Sequence, residues 1–328
     1  MTTARKYVLE SQFQGEPKRS DVKIVEEKLP PLNDGEILAE AVWLSVDPYM
    51  RPYMRRFKAG DTMIGTQVAK VIESKNEKFA VGDYVVGAFG WRTKTISNGE
   101  KLSKLDRSMY TDKKLSSALG VLGMPGATAY FGFLELCTPK AGETLVVSTA
   151  AGAVGSIVGQ IAKIKGCRVV GFAGSDEKVG YIKGLGFDEA YNYKTITSLK
   201  ETLQKACPKG IDMFFDNVGG DFYDTVLPLM NEFGRVSICG CISQYNLEKP
   251  EQGARLSGTI LFKQLKIEGF IVHRWLARWP EAFKEMNGWI EKDQLKYNET
   301  VTEGFDNMFD AFAGLFTGKN LGKAVVKA

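Results

Sequence analysis

One stretch constrains this chain more than any other: Glu143-Thr-Leu-Val-Val-Ser-Thr-Ala-Ala-Gly-Ala-Val-Gly155, continuing into Ser156–Lys165. Leu145, Val146 and Val147 form a short β-branched, apolar run suited to a strand buried on both faces. Ala150-x-Gly152-x-x-Gly155 follows. Then Val154, Ile157, Val158, Ile161 and Ile164 recur at helical spacing. A strand, a turn of small residues and a helix, in that order, make a phosphate site. The small residues let backbone approach a pyrophosphate, and the amides of the first helical turn face it. The same order would serve as a plain tight turn in other α/β proteins. What favours dinucleotide binding is a second strand, Cys167-Arg-Val-Val-Gly-Phe-Ala-Gly174, placed where a βαβ unit of about 30 residues needs it.

The regular alternation continues downstream. Ser175 is suited to cap a helix carrying Lys178. Ala190–Tyr193, a helix over Ser198–Ala206, and the strand Ile211–Asp216 ending in Asn217-Val-Gly-Gly220 come next. Gly234–Gly240 and Lys266–Val272 read as further strands, making a doubly wound parallel sheet with its ligand at the strands' carboxyl ends. Upstream, a helix through Tyr130–Leu136 follows Gly123-Met-Pro-Gly126.

Residues 1–122 read differently. Short runs at Lys6–Ser11, Asp21–Lys28, Glu36–Val46, Gln67–Lys75 and Tyr84–Phe89 are separated by Pro30-Pro31, Asn33-Asp-Gly35 and Val81-Gly-Asp83. This predicts a small antiparallel barrel or sandwich. The tail, with a helix over Phe305–Phe316 and a strand at Lys323–Lys327, returns most simply to that region. The expected division is 1–122 plus 293–328 around an inserted 123–292. The loop Ser45–Pro52 carries Tyr49, Met50 and Arg51 at an expected surface, as either a turn or a pocket wall.

Composition narrows the chemistry. The 328 residues carry a net charge of +4 with acids and bases interspersed, so no basic stripe for nucleic acid forms. No apolar stretch approaches the ~20 residues that span a bilayer, and the N-terminus lacks a signal-like apolar region, which makes cytoplasm the expectation. Five cysteines (137, 167, 207, 239, 241), several in core strands, read as reduced thiols. With His273 the only histidine, a catalytic zinc lacks an easy ligand set and a histidine-activated nucleophile is improbable. His273 reads as a packed residue at a strand end.

Four motifs in order, Val46-Asp-Pro-Tyr-Met50, Ala150–Gly155, Phe215-Asp-Asn-Val-Gly-Gly220 and Asn320-Leu-Gly-Lys-Ala-Val-Val326, resemble the zinc-independent medium-chain dehydrogenase/reductases along essentially the whole chain. The resemblance implies a Rossmann sheet inserted in a GroES-like barrel, a homodimer, and NADPH-dependent reduction of the carbon–carbon double bond of enones and enals. Small-molecule substrates of this kind include 15-keto-prostaglandins and lipid-derived alkenals; oxidation of the leukotriene B4 12-hydroxyl would be secondary. A quinone reductase of the same superfamily and a catalytically silent NADPH-binding protein stay open.

Carried over by residue, the cofactor contacts fall on Gly152, Ala153, Val154, Gly155, Lys178, Tyr193, Asn217, Cys239, Gly240, Cys241, Ile242, Ser243, Gln244, Tyr245, Phe270, Ile271, Val272 and Asn320. An NAD site places an acid at the end of the second strand. Here that end is Ala173-Gly174, with no carboxylate before Asp176 and Lys178 close by, which favours a 2′-phosphate. Ile260-Leu-Phe262 departs from the family, which often carries a tyrosine hydroxyl there. Phe262 reads instead as core packing on an apolar strand. Tyr49 and Tyr245 then remain as donors to the enolate oxygen, alongside the nicotinamide ribose. Trp275, Trp279, Phe270 and Ile271 read mostly as core. Arg51, Arg55 and Arg56 could meet a carboxylate, with a solvated basic loop as the plainer reading.

Overall fold

The computed structural model describes residues 2–328. Tertiary contacts divide it into two units: one from the N-terminus to Gly120 with Glu299–Asn320 and Ala324–Ala328, the other Val121–Asn298 with Leu321–Lys323.

In the second unit six strands form one sheet: β1 Thr144–Val147, β2 Arg168–Ala173, β3 Glu189–Asn192, β4 Ile211–Asp216, β5 Met230–Ile238 and β6 Lys266–Gly269. Their order is β3-β2-β1-β4-β5-β6, with every neighbouring pair parallel. β1 is buried along its whole length because helices cover both faces, which is why it reads as an unbroken apolar run. Gly155–Ile164 joins β1 to β2, Asp176–Gly184 joins β2 to β3, and Leu199–Ala206 joins β3 to β4. The strand order reverses between β1 and β4, which opens a crevice at their carboxyl ends. This is the Rossmann arrangement.

Four expectations fail near the sheet edge. Phe262 lies on the short helix Ser257–Phe262, not on a strand, and is 80% exposed. Successive parallel strands need a crossover, and helical periodicity turns Ile260 onto the core while Leu261 and Phe262 face outward. β6 ends at Gly269 instead of running to 272, and Val272–Arg278 forms a 3₁₀ segment. Ile271 is therefore exposed rather than core, and so is His273, whose ring lies 5.7 Å from that of Trp279.

The first unit is an antiparallel β structure. Thr2–Leu9 pairs with Val22–Leu29 along their full lengths. A second sheet runs Glu299–Glu303, Lys323–Lys327, Ile37–Ser45, Gln67–Ser74, Tyr84–Gly87, Ser103–Lys104, with Lys94–Ser97 also on Ile37–Ser45. Its core gathers Tyr7, Leu44, Met50, Met54, Trp91 and Phe312. Trp91 meets Tyr7 and Phe312 edge-on at 5.5 and 5.6 Å, in the arrangement aromatic quadrupoles prefer. The chain thus has a Rossmann sheet inserted in a GroES-like β unit. Among the described residues, no single helix is long and apolar enough to cross a membrane.

Candidate functional site

The glycine turn after β1 is built by close backbone approach. The helix starts at Gly155, where a Cβ would lie 2.4 Å from the Thr149 carbonyl oxygen. Thr149 itself takes a left-handed φ of 52°, a conformation that costs energy in a residue with a β-branch. The turn is tied to the sheet by Ala150 N–H donating to Phe172 O at 2.9 Å. A support that sequence reasoning missed comes from the far end of the chain. Gly322 N–H donates to Ala151 O at 2.9 Å, and Gly152 bridges Gly322. Gly322 has φ 67° and no room for a side chain, since a Cβ would sit 2.0 Å from Asn298 O. Only the Gly-flanked setting of Asn320 hinted at this.

Lys178 and Tyr193 stand just past the ends of the neighbouring strands β2 and β3. Ser175 caps the helix, its Oγ accepting from Lys178 N–H. The Lys178 ammonium is half-buried, and its pKa is lowered first by burial and then by the charge of Lys194. Tyr193 N–H donates to Ala173 O at 3.0 Å, and its phenol lies against Gly174, 3.1 Å from where a Cβ would be. The carboxylate of Asp176 accepts from Asn192 Nδ2 at 2.8 Å.

The ends of β1 and β4 are locked by one acid. Asp216 is fully buried and accepts from Ser148 Oγ at 2.8 Å, Val218 N at 2.9 Å and Gly219 N at 3.0 Å. Burial raises its pKa against those bonds. Asn217 is fixed at both ends, its N–H donating to Ser148 Oγ and its Nδ2 to Ser148 O, each at 2.8 Å. Past β5, Cys239 and Gly240 N–H both donate to Asp216 O. Ile242 N and Ser243 N bond Asn217 O and Val218 O, so the loop to Tyr245 is laid against the end of β4. The Tyr245 hydroxyl sits over Gly240, 3.2 Å from a Cβ position there. A pocket of about 320 Å³ opens beside Gly219, Gly240, Cys241 and Gln244. Burial pushes the Cys239 thiol up to about 12, and the Cys241 thiol upward too, so both stay protonated at neutral pH. Beyond β6, the Phe270 ring fills the space that Gly132 leaves, while Ile271 points out.

In the first unit, Tyr49 is largely buried, and burial followed by the Asp47 carboxylate raises its pKa strongly despite a hydrogen bond with Thr66. Its phenol therefore remains a donor. Arg51 overturns the expectation of a solvated surface loop, being only 1% exposed. It donates through Nη2 to Phe13 O and Gly15 O at 3.0 Å, and its guanidinium lies 5.2 Å from the Phe13 ring. Asn320 lies in the loop immediately preceding the Leu321–Lys323 segment.

These features fit a dinucleotide carrying a 2′-phosphate: a turn with no room for a side chain at Gly155, a strand end whose nearest carboxylate, Asp176, is hydrogen-bonded by Asn192, and a half-buried ammonium. Among the described residues, no three His, Cys, Asp or Glu side chains come together as a metal would require.

Residues 5–105 match the family model described as the N-terminal domain of oxidoreductase, and 153–291 the one described as zinc-binding dehydrogenase. Prostaglandin reductase 1 of Bos taurus is 52% identical over 329 residues, all of both chains. The NADP(+)-dependent 2-alkenal reductase of Nicotiana tabacum is 42% identical, over 98% of this chain and 96% of its own. Among solved structures, CurA of Vibrio vulnificus in complex with NADPH superposes with a TM-score of 0.92 at 40% identity, over 99% of each chain.

Proposed function

Because the chain belongs to the medium-chain dehydrogenase/reductases, we propose that it is an NADPH-dependent reductase of the α,β carbon–carbon double bond of enones and enals. The observation that carries the cofactor half of this reading is the end of β2, where Lys178 stands and Asp176 is tied to Asn192. The substrate half draws on relatives named for prostaglandin and alkenal reduction. The cofactor, when bound, supplies hydride to the β-carbon.

What the chain's own residues must do is modest. Gly152–Gly155 and the helix behind them bind the pyrophosphate, and Lys178 with Tyr193 holds the ribose end. The loop Cys239–Tyr245, pinned to Asn217 and Val218, gives the nicotinamide side a rigid wall. As hydride arrives, negative charge grows on the carbonyl oxygen, and a preorganised donor there lowers the barrier. Tyr49 and Tyr245 are the proposed donors, with Tyr49 kept protonated by its buried setting. The α-carbon then takes a proton, for which solvent suffices.

We further read the chain as a cytoplasmic homodimer acting on lipid-derived carbonyl compounds. Support for the dimer comes from the outer edge of β6, since an edge strand is a template for pairing. Exposed Phe233, Leu261, Phe262, Ile271 and Leu276 belong to this part of the chain. The deciding assay is oxidation of NADPH, with NADH as control, against a panel of enones, enals and quinones. Turnover of enones and enals with NADPH is expected; turnover of quinones alone, or of nothing, would sink the reading.

A further inference from the structure

We propose that Lys194 is a second cation for the cofactor's 2′-phosphate, and that Asn192 positions it beside Lys178 while engaging the nearby carboxylate of Asp176. The inference rests on the NADPH reading above and goes beyond it in naming how the phosphate is told from a free hydroxyl.

The backbone brings these groups to one place. Asn192 is the last residue of β3 and pairs with Ala173, the last of β2. The chain leaving β3 is held across that strand end by Tyr193 N–H on Ala173 O at 3.0 Å. Both ends of the Asn192 side chain are then used. Its Oδ1 accepts from Lys194 N at 3.1 Å, and its Nδ2 donates to Asp176 Oδ1 at 2.8 Å. One amide thus joins the loop carrying Lys194 to the helical turn carrying Asp176 and Lys178.

The consequence is electrostatic. The Lys178 pKa is lowered first by burial and then by the charge of Lys194, whose backbone Asn192 holds on the adjoining loop. Two lysines borne on the helical turn and loop that Asn192 joins suit an anion of about two charges, as a phosphate monoester is near neutral pH. A carboxylate at this strand end would favour a ribose 2′-hydroxyl and repel a 2′-phosphate. Asn192 ties that carboxylate to an amide and sets a cation on the adjoining loop. An asparagine at the end of a strand is therefore the specificity-determining joint, and Lys194 its effector.

Calorimetry of the full chain with adenosine 2′,5′-bisphosphate and with 5′-AMP tests this without any turnover. The wild type is expected to favour the bisphosphate. Lys194→Met should weaken the bisphosphate by about 5- to 20-fold, as loss of one charge-assisted contact does, and leave AMP unchanged, with Lys194→Arg restoring most of the loss. Asn192→Asp, which sets a second carboxylate against Asp176, should weaken the bisphosphate further than Asn192→Ala does. If the wild type favours the bisphosphate but Lys194→Met and Asn192→Ala keep that preference, the inference fails and the NADPH reading stands. If Asn192→Ala weakens both nucleotides equally, Asn192 only holds the fold and its assigned role falls. A wild type without preference would remove the NADPH reading itself and this inference with it.

Discussion

Lys178 and Tyr49 carry opposite kinds of electrostatic strain, and each makes a measurable prediction. Burial first and then the charge of Lys194 lower the pKa of Lys178. Lys178→Ala should raise the KM for NADPH by about 10- to 100-fold, the scale of one charge-assisted hydrogen bond, with the KM for NADH almost unchanged; equal losses for both would refute the assignment. Tyr49 is held neutral by burial and by Asp47. Tyr49→Phe should lower kcat on an enone by about 10- to 100-fold, as removing a preorganised donor does, while leaving NADPH binding intact. Because the phenol's pKa lies above its ordinary value of about 10, the Tyr49-dependent part of kcat should persist through mildly alkaline pH. Full activity of Tyr49→Phe would pass the role to Tyr245 or the ribose. At this scale the sequence was informative where a residue type was missing: the acid absent after Ala173 pointed to Lys178. It was silent on Lys194, because a loop lysine has no periodicity to distinguish it. It misled on Arg51, since nothing local reveals that carbonyls of Phe13 and Gly15, far off in sequence, will receive a guanidinium.

Among elements, the joint between β1 and β4 is the most exacting. Asp216→Ala would strand Ser148 Oγ and the amides of Val218 and Gly219. At about 1–3 kcal/mol for each buried polar group left without a partner, the variant should melt several degrees lower and lose cofactor affinity, since Asn217 and the Cys239–Tyr245 loop hang from the same joint. Unchanged melting would mean that water replaces the carboxylate. Gly155→Val should abolish cofactor binding with the fold largely kept, because its Cβ meets a backbone carbonyl that cannot retreat without opening the turn. Strands and helices of this unit were legible because burial on two faces leaves unbroken apolar runs. Lys94–Ser97, Ser103–Lys104 and Glu299–Glu303 were not, being short and rich in polar residues. Phe262, at the end of the helix Ser257–Phe262, was misread as lying on a strand because the three apolar residues Ile260–Phe262 fit either period.

For the molecule as a whole, the exposed Leu261 and Phe262 make the proposed dimer testable. Sedimentation should give twice the 36.2 kDa chain mass, and Leu261→Asp with Phe262→Asp should shift it toward the single chain. A wild type that sediments as one chain at high concentration would end that proposal.

The Gly322 contact bears on how this chain can be cut or rearranged. Residues 321–323 are grouped with the nucleotide unit although more than twenty residues separate them from its other part, which ends at Asn298. Excising that unit as one continuous segment would leave Ala151 O without the amide that now bonds it. A circular permutation that keeps Leu321–Lys323 linked to the excised piece would preserve the seam. Engineers grafting this Rossmann unit onto another scaffold would need to carry those three residues along.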